Sequence, residues 1–341
     1  MKQKKVVITD HGSAGRLELV DAEIPNIKDS ELLLRVEYAG VAFADIMMRH
    51  GRYPGQPKPP FTPGFDVVGV VERSASNAHV KTGTRVAALT RYGGYAQYVV
   101  VDAVGAVPVP DEVPPEKAVC LVLNYLTAYR ILRRVCSLDE GAAVLVHSAA
   151  GGVGTAALQI GRNLKLQMFG TASASKHEVV RGLGGVPIDY HSEDFVEFIA
   201  KAAPRGLDAV LDPIGPSNWR RSQRVLKRGG TLVAFGGLAM HDRTRDVMKD
   251  GTLSMVTTAL WLKLFSRARL ALFDVTAGKP EERRTDLATL LEQTRERQLD
   301  PIVARVLPLS CAREAHQLLG SGEVIGKLVL DCRQEAGRSP S

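Results

Sequence analysis

The chain has 341 residues, of which 45% are hydrophobic and 24% charged, with a formal net charge of +7. That length predicts two domains of roughly 100–200 residues each, and no stretch reaches the roughly 18 uninterrupted apolar residues of a membrane helix. Four cysteines, Cys120, Cys136, Cys311 and Cys332, form no C-x-x-C pair, which argues against a disulfide framework or a structural zinc lobe, and the basic groups around Arg220, Arg221, Arg224, Lys227 and Arg228 lack the interleaved aromatics or motif of a nucleic-acid binder.

Residues 1–5 run into a polar segment rather than a signal-peptide core, so a cytoplasmic protein is expected. Residues 1–109 read as β-rich. Short β-branched or apolar runs at 5–9, 31–38, 66–71, 85–89 and 95–100 are separated by turns rich in Gly, Pro, Asn and Ser. A short helix is predicted over 41–49. The proline-rich loop 53–63 follows, carrying Tyr53; stiffened by its rings, it needs no hydrogen-bond ladder to hold shape, and such loops often frame ligands.

From Pro114 helices alternate with buried strands. One or two helices are predicted over 115–134, a strand and helix over 143–164, a strand over 166–170 and a helix ending near 182. Then come the segment 187–190, a helix over 195–202, a strand over 209–212, a helix over 219–226 and a strand over 231–235. This alternation predicts a parallel, doubly wound sheet. The tail from Arg333 is expected to fray.

The chain is organised around 144–160. An apolar run passes through small residues and glycines into a helix-forming run with Val153, Ala157, Leu158 and Ile160. In a dinucleotide fingerprint the first position makes a tight turn, the second admits the pyrophosphate and the third packs helix on strand; here these are Ala149, Gly151 and Gly154. The candidate cofactor contacts are therefore Ala150, Gly151, Gly152, Val153 and Gly154, at a helix N-terminus that offers N–H groups to an anion. Taken alone, the segment also fits an ordinary strand-to-helix turn.

Enzymes using unphosphorylated nicotinamide cofactors place an acid about 20 residues further on, against the ribose 2′-hydroxyl. Between Thr155 and His177 there is no Asp or Glu. Ser173 and Lys176 stand there instead, donors that suit a 2′-phosphate, so the cofactor expected is NADPH. The other reading of Lys176 is a surface lysine opening a helix.

The order of these features, with Ile188, Asp189 and Tyr190 and the run 326–330, resembles the zinc-free quinone oxidoreductase branch of the medium-chain dehydrogenase/reductases over about residues 5–332. The runs 124–129, 169–178 and 187–191 are similar to the vesicle amine transport protein subgroup. The resemblance implies an α/β fold: a β-rich GroES-like catalytic domain over 1–121 and 276–332, and a doubly wound Rossmann domain over 122–275, with 333–341 as tail. It implies cofactor contacts at Ser173, Lys176, Tyr190, Phe235 and Gly236, a threonine near the nicotinamide at Thr127 and a substrate-side tyrosine at Tyr53. It also implies a homodimer formed through the strand near 268–275.

Two departures from the wider superfamily bear on chemistry. The zinc enzymes carry Cys where this chain has Ala42, and His then Glu where it has Phe65 and Asp66; neither Ala42 nor Phe65 can ligate a metal, so no catalytic zinc is expected on these positions. The quinone oxidoreductases usually carry Asn at the Ala42 position, facing the nicotinamide.

Without a Lewis acid, the hydride acceptor is one whose incoming charge delocalises to oxygen, a quinone or an α,β-unsaturated carbonyl. Tyr53 reads either as a hydrogen-bond donor or stacking partner for such a flat substrate, or as an aromatic lid over the proline-rich loop; Thr127 would orient the carboxamide. Asp45 and Asp66 read as structural, bonded to an arginine or to backbone, and His147 as packed under the glycine turn. Two functions stand: an NADPH-dependent oxidoreductase, and a nucleotide-binding regulatory or partner-binding protein of the same fold with weak or no catalysis. Residues 237–273, expected to wall the pocket and contact a second subunit, carry no readable motif.

Overall fold

The computed structural model describes residues 2–76, 78–236, 257–258, 260 and 268–333. The expected frayed tail beyond Arg333, and residues 237–256, 259 and 261–267 of the expected pocket wall, lie outside them.

In chain order, β1 (Lys2–Ile8), β2 (Leu17–Glu23), β3 (Glu31–Val41), α1 (Phe43–Arg49), β4 (Asp66–Ser74), β5 (Arg85–Leu89), β6 (Tyr98–Asp102) and β7 (Val107–Pro108) come first. Helices α2 (Pro115–Cys120) and α3 (Leu126–Arg130) are joined by a π-helical turn, Leu121–Tyr125, and followed by another, Ile131–Val135. Next are β8 (Ala143–Val146), α4 (Gly152–Asn163), β9 (Gln167–Ala172), α5 (His177–Gly182), β10 (Gly185–Asp189), α6 (Phe195–Ala202), β11 (Leu207–Asp212), α7 (Pro216–Ser222), β12 (Leu226–Ala234) and β13 (Arg269–Leu272). The described chain closes with α8 (Pro280–Arg295), β14 (Val303–Pro308), α9 (Ala312–Ser321) and β15 (Lys327–Asp331).

The chain divides into two compact units, Met1–Leu126 with Gly278–Ser341, and Thr127–Ala277. In the first, β1 and β2 pair antiparallel, and a seven-stranded sheet has the order β14-β15-β3-β4-β5-β7 with β6 also on β3. The long β3 carries this sheet because Leu32, Leu33, Leu34 and Val36 are all buried along it. Helix α8 starts on Pro280 with Glu281 and Glu282 in its first turn, where a missing N–H is harmless and negative charge meets the positive end of the helix dipole.

The second unit is a six-stranded parallel sheet of order β10-β9-β8-β11-β12-β13, the doubly wound arrangement expected. Leu145, Phe169, Ile188, Phe195, Ile199, Leu207, Val210, Trp219 and Leu232 form a buried core. Each such side chain contributes roughly 1.5–3 kcal/mol on removal from water.

Several boundaries differ from expectation. Tyr95 does not begin a strand: β6 starts at Tyr98, and both Tyr95 and Ala96 are buried, which breaks a two-residue alternation. The cause is a backbone crossing, since a Cβ on Gly64 would lie 2.5 Å from Tyr95 N. The helix expected over 219–226 is α7 from Pro216, set by Gly215 at φ +139°, then a 3-10 turn Gln223–Val225; Leu226 already belongs to β12. Strands β2 and β14 went unrecognised because charged residues at Glu18, Asp21, Glu23 and Arg305 dilute their apolar pattern.

Candidate functional site

In the second unit, β8 ends at Val146 and the chain turns through His147, Ser148, Ala149 and Ala150 to Gly151, the N-cap of α4. The left-handed residue of this turn is Ser148, at φ +58°. Ser148 O accepts from Gly151 N at 3.0 Å, and Ala149 N donates to Thr171 O at 3.0 Å, so the turn is anchored on itself and on β9.

At Gly154 the helix closes on the turn rather than on a strand. A Cβ there would lie 2.3 Å from Ser148 O and 2.5 Å from Ala149 O, so only glycine lets α4 seat against the turn. Gly170 on β9 makes the matching space: its Cβ would lie 2.5 Å from the Ala149 methyl. Gly151 has no side chain to cap α4, and the first turn holds no acid. No side chain of the cap and no acid of the first turn therefore competes for the positive end of the helix, where the leading N–H groups are those of Gly152 and Val153. This cradle fits an anionic pyrophosphate.

At the end of β9, Thr171 and Ala172 are buried while Ser173, Ser175 and Lys176 reach the surface wholly or in part. Ser173 Oγ lies 3.2 Å from Ser175 Oγ, and Lys176 N closes a turn on Ser173 O at 2.9 Å. Serine hydroxyls and a lysine thus share one short loop before α5. Tyr190, just past β10, is 56% exposed, with its ring 4.2 Å from that of His191. The acid beside it, Asp189, is held by Ser192 Oγ at 2.7 Å and His191 N at 3.1 Å, bonds that lower its pKa. Phe235 follows β12 and donates its N–H to Asp212 O at 3.3 Å; Gly236 takes φ +65°. Thr127 lies on α3, 5% exposed.

His147 is buried as expected, and its ring bonds Thr171 Oγ1 at 3.0 Å and Ser222 Oγ at 3.1 Å. Burial lowers its pKa, against the opposing pull of Asp212.

Tyr53 belongs to the first unit. Its ring meets Phe65 edge-on at 5.8 Å, and its N–H donates to Gln56 Oε1 at 2.9 Å, while Gln56 Nε2 donates to Met48 O. The base of the proline-rich loop is tied by Asp45, which accepts from Ala42 N and Gly64 N, both at 2.9 Å, and from Tyr95 Oη at 3.2 Å. Tyr95 Oη also lies 3.2 Å from His316 Nε2. Burial pushes Asp45 up to about 7 and His316 down to about 3.

Asp45 thus has the backbone partners expected of it, but the partner of Asp66 is a lysine, not an arginine. Lys327 Nζ lies 2.9 Å from Asp66 Oδ2 and 3.2 Å from Asn124 Oδ1, with side-chain exposures of 2% for Lys327 and 0% for Asp66. Burial raises the Asp66 pKa and Lys327 opposes it. Gly40 leaves the space, since a Cβ there would lie 2.2 Å from Lys327 Cε. No local pattern marks this pair, because its members stand 261 residues apart.

Among the described residues no group of three or more His, Cys, Asp or Glu could hold a metal ion, and no helix is long and apolar enough to cross a membrane. The structure gathers the glycine turn, Ser173, Lys176, Tyr190, Phe235, Gly236 and Thr127 in one unit and Tyr53 in the other.

Residues 28–111 match the family described as alcohol dehydrogenase GroES-like domain, and residues 182–330 that described as zinc-binding dehydrogenase. The chain is 40% identical over 242 residues to a synaptic vesicle membrane protein VAT-1 homolog of Danio rerio, covering 70% of this chain and 50% of that one. It thus spans about half the length of that relative. With the quinone oxidoreductase of Homo sapiens it shares 30% identity over 91% of this chain and 92% of the other. The structure of Escherichia coli quinone oxidoreductase complexed with NADPH superposes with a TM-score of 0.86 at 25% identity, covering 96% of this chain and 99% of that one. The chain belongs to the quinone oxidoreductase-like group of the medium-chain dehydrogenase/reductase superfamily.

Proposed function

We propose that the chain is an NADPH-dependent oxidoreductase that passes hydride to a quinone or an α,β-unsaturated carbonyl without a metal. The observation that carries this reading is the acid-free loop after β9, where Ser173 and Lys176 follow a glycine turn built for a pyrophosphate. Ser173 and Lys176 would hold the 2′-phosphate, with Tyr190 alongside the adenosine; Gly151, Gly152, Val153 and Gly154 would hold the pyrophosphate, and Thr127, Phe235 and Gly236 the nicotinamide end. When bound, NADPH supplies the hydride. Tyr53, half-buried and steadied by Phe65, would donate a hydrogen bond to the acceptor or stack on it. On this reading the chain works in the cytoplasm as a homodimer, paired along the edge strand β13, where Leu272 is 65% exposed.

The test is cofactor titration and turnover on purified protein. NADPH should bind more tightly than NADH, Lys176→Ala should erase much of that preference, and a panel of flat carbonyl compounds should include one that oxidises NADPH. Equal binding of the two cofactors, or an unchanged ratio in Lys176→Ala, refutes the cofactor assignment.

The second reading, a nucleotide-binding regulatory or partner-binding protein, is favoured by Ala42, which brings only a methyl group to the start of α1. Tight NADPH binding with no turnover, and no gain from Ala42→Asn, would select it.

A further inference from the structure

His147 stands at the seam of the cofactor unit. It follows β8 directly, and the glycine turn begins one residue later. Its ring is 4% exposed and bonded at both nitrogens, Nδ1 to Thr171 Oγ1 at 3.0 Å and Nε2 to Ser222 Oγ at 3.1 Å. The edge of the pair is closed by Phe195, whose ring centroid lies 4.8 Å away at 77°.

The direction of these bonds follows from their far end. Asp212 accepts at Oδ1 from Ile214 N (2.9 Å) and at Oδ2 from Asn218 Nδ2 (2.9 Å) and Ser222 Oγ (2.7 Å). A carboxylate can only accept, so the Ser222 hydroxyl proton points to Asp212 and its lone pairs face His147. Nε2 of the neutral ring must then carry the proton, which leaves Nδ1 to accept from the Thr171 hydroxyl. The chain of donors runs Thr171 to His147 to Ser222 to Asp212.

This chain crosses three adjacent strand ends. In the sheet order β9-β8-β11, Thr171 is on β9, His147 directly follows β8 and Asp212 ends β11. Thr171 is held twice from the turn side: its carbonyl accepts from Ala149 N at 3.0 Å and its hydroxyl donates to His147. It lies two residues before Ser173, the first donor of the proposed 2′-phosphate loop. The imidazole is thus the side-chain strut between the pyrophosphate turn and that loop.

We propose that His147, oriented by Ser222 and Asp212, is a positioning residue that sets the span between the pyrophosphate turn and the 2′-phosphate loop, and so helps determine the discrimination between NADPH and NADH. The proposal rests on the NADPH reading above. The physical reason is that a ligand seated at two anionic points gains from both only when the two seats lie at the ligand's own spacing. NADH, which lacks the 2′-phosphate, uses the turn but not the loop and is indifferent to the span.

The experiment compares NADPH and NADH dissociation constants, by cofactor fluorescence, in the wild-type protein, Thr171→Val and His147→Gln, with the tautomer of His147 read by nitrogen NMR in wild type and Asp212→Asn. Thr171→Val keeps side-chain shape and removes only the donor, so it decides the matter even if His147→Gln fails to fold. The NADPH preference should fall by a factor on the order of five to ten in the variants while NADH binding stays within about twofold, as expected when one buried hydrogen bond is lost. Wild type should show the Nε2–H tautomer, and Asp212→Asn, whose amide can donate to Ser222, should shift it toward Nδ1–H.

An equal loss for both cofactors, an unchanged ratio in Thr171→Val, or an Nδ1–H ring in wild type overturns the proposal. A wild-type protein that does not prefer NADPH overturns the cofactor reading itself, and this inference with it. A wild-type preference retained by the variants refutes only the role of His147.

Discussion

Gly154→Ala probes the cofactor turn with the smallest possible addition. The new methyl carbon would sit 2.3 Å from Ser148 O, 2.5 Å from Ala149 O and 2.6 Å from Ala149 C, all backbone atoms. None can swing aside as a side chain would, because Ser148 O is held by Gly151 N and Ala149 N by Thr171 O. Overpacking of this kind costs about 1–3 kcal/mol, and a backbone neighbour places it toward the upper end. For a domain of 150–250 residues each kcal/mol lowers Tm by about 2–4 °C, so a fall of about 6–12 °C is expected. Any 1.4 kcal/mol of that penalty felt by the cofactor-bearing conformation weakens NADPH binding by about tenfold. Gly182→Ala is the control: a Cβ there meets nothing within 4 Å, and in the last helical position of α5 alanine should be neutral or stabilise by up to about 1 kcal/mol. Thermal unfolding by circular dichroism and NADPH titration by fluorescence read both effects. A Gly154→Ala protein that melts and binds like wild type would refute the packing argument for the turn.

Removing the amine in Lys327→Met leaves the Asp66 carboxylate buried and unpaired, and should cost about 3–5 kcal/mol in urea unfolding. The Asp66→Asn, Lys327→Met double variant should recover much of that loss; a single variant no less stable than the double refutes the reading. The pH dependence has two opposed parts. Asp45, raised by burial to about 7, contributes stability that is present below 3.8 and lost as pH rises through about 7. His316, lowered by burial to about 3, contributes stability that is present above 6.5 and lost as pH falls toward 3. The slopes largely cancel in wild type between about pH 4 and 6.5; Asp45→Asn should expose a loss of stability on acidification and His316→Gln the reverse, read as urea midpoints against pH. Identical profiles in all three proteins would show that neither group titrates differently on folding.

Much of the second unit was legible in local pattern. Strands β8, β9 and β11 are short buried runs each followed by a helix, and a parallel strand buried on both faces needs only an apolar run to be recognised. The glycines of the turn were legible for the same reason: Gly154 is demanded by atoms five and six residues away. Which residue of the turn takes the left-handed conformation was not legible: Ser148 does so, at φ +58°, and the bond from Ala149 N to Thr171 O that anchors the turn spans 22 residues.

The buried polar groups were hardest to read. Asp45, Asp66, Tyr95 and His316 carry no periodic signal, and apart from the local bond of Ala42 N to Asp45 the side chains that meet them come from remote segments, as with Tyr95 and His316, 221 residues apart. Likewise, sequence could place His147 under the turn but could not give it Ser222 as a partner, 75 residues away. The sequence by itself determined the doubly wound unit, its glycine turn and the acid-free loop after β9, because each depends on neighbours within a few residues. The tertiary structure alone decided which buried donor faces which acceptor, because desolvation penalises a buried polar group left without a partner, and folding brings that partner from anywhere in the chain.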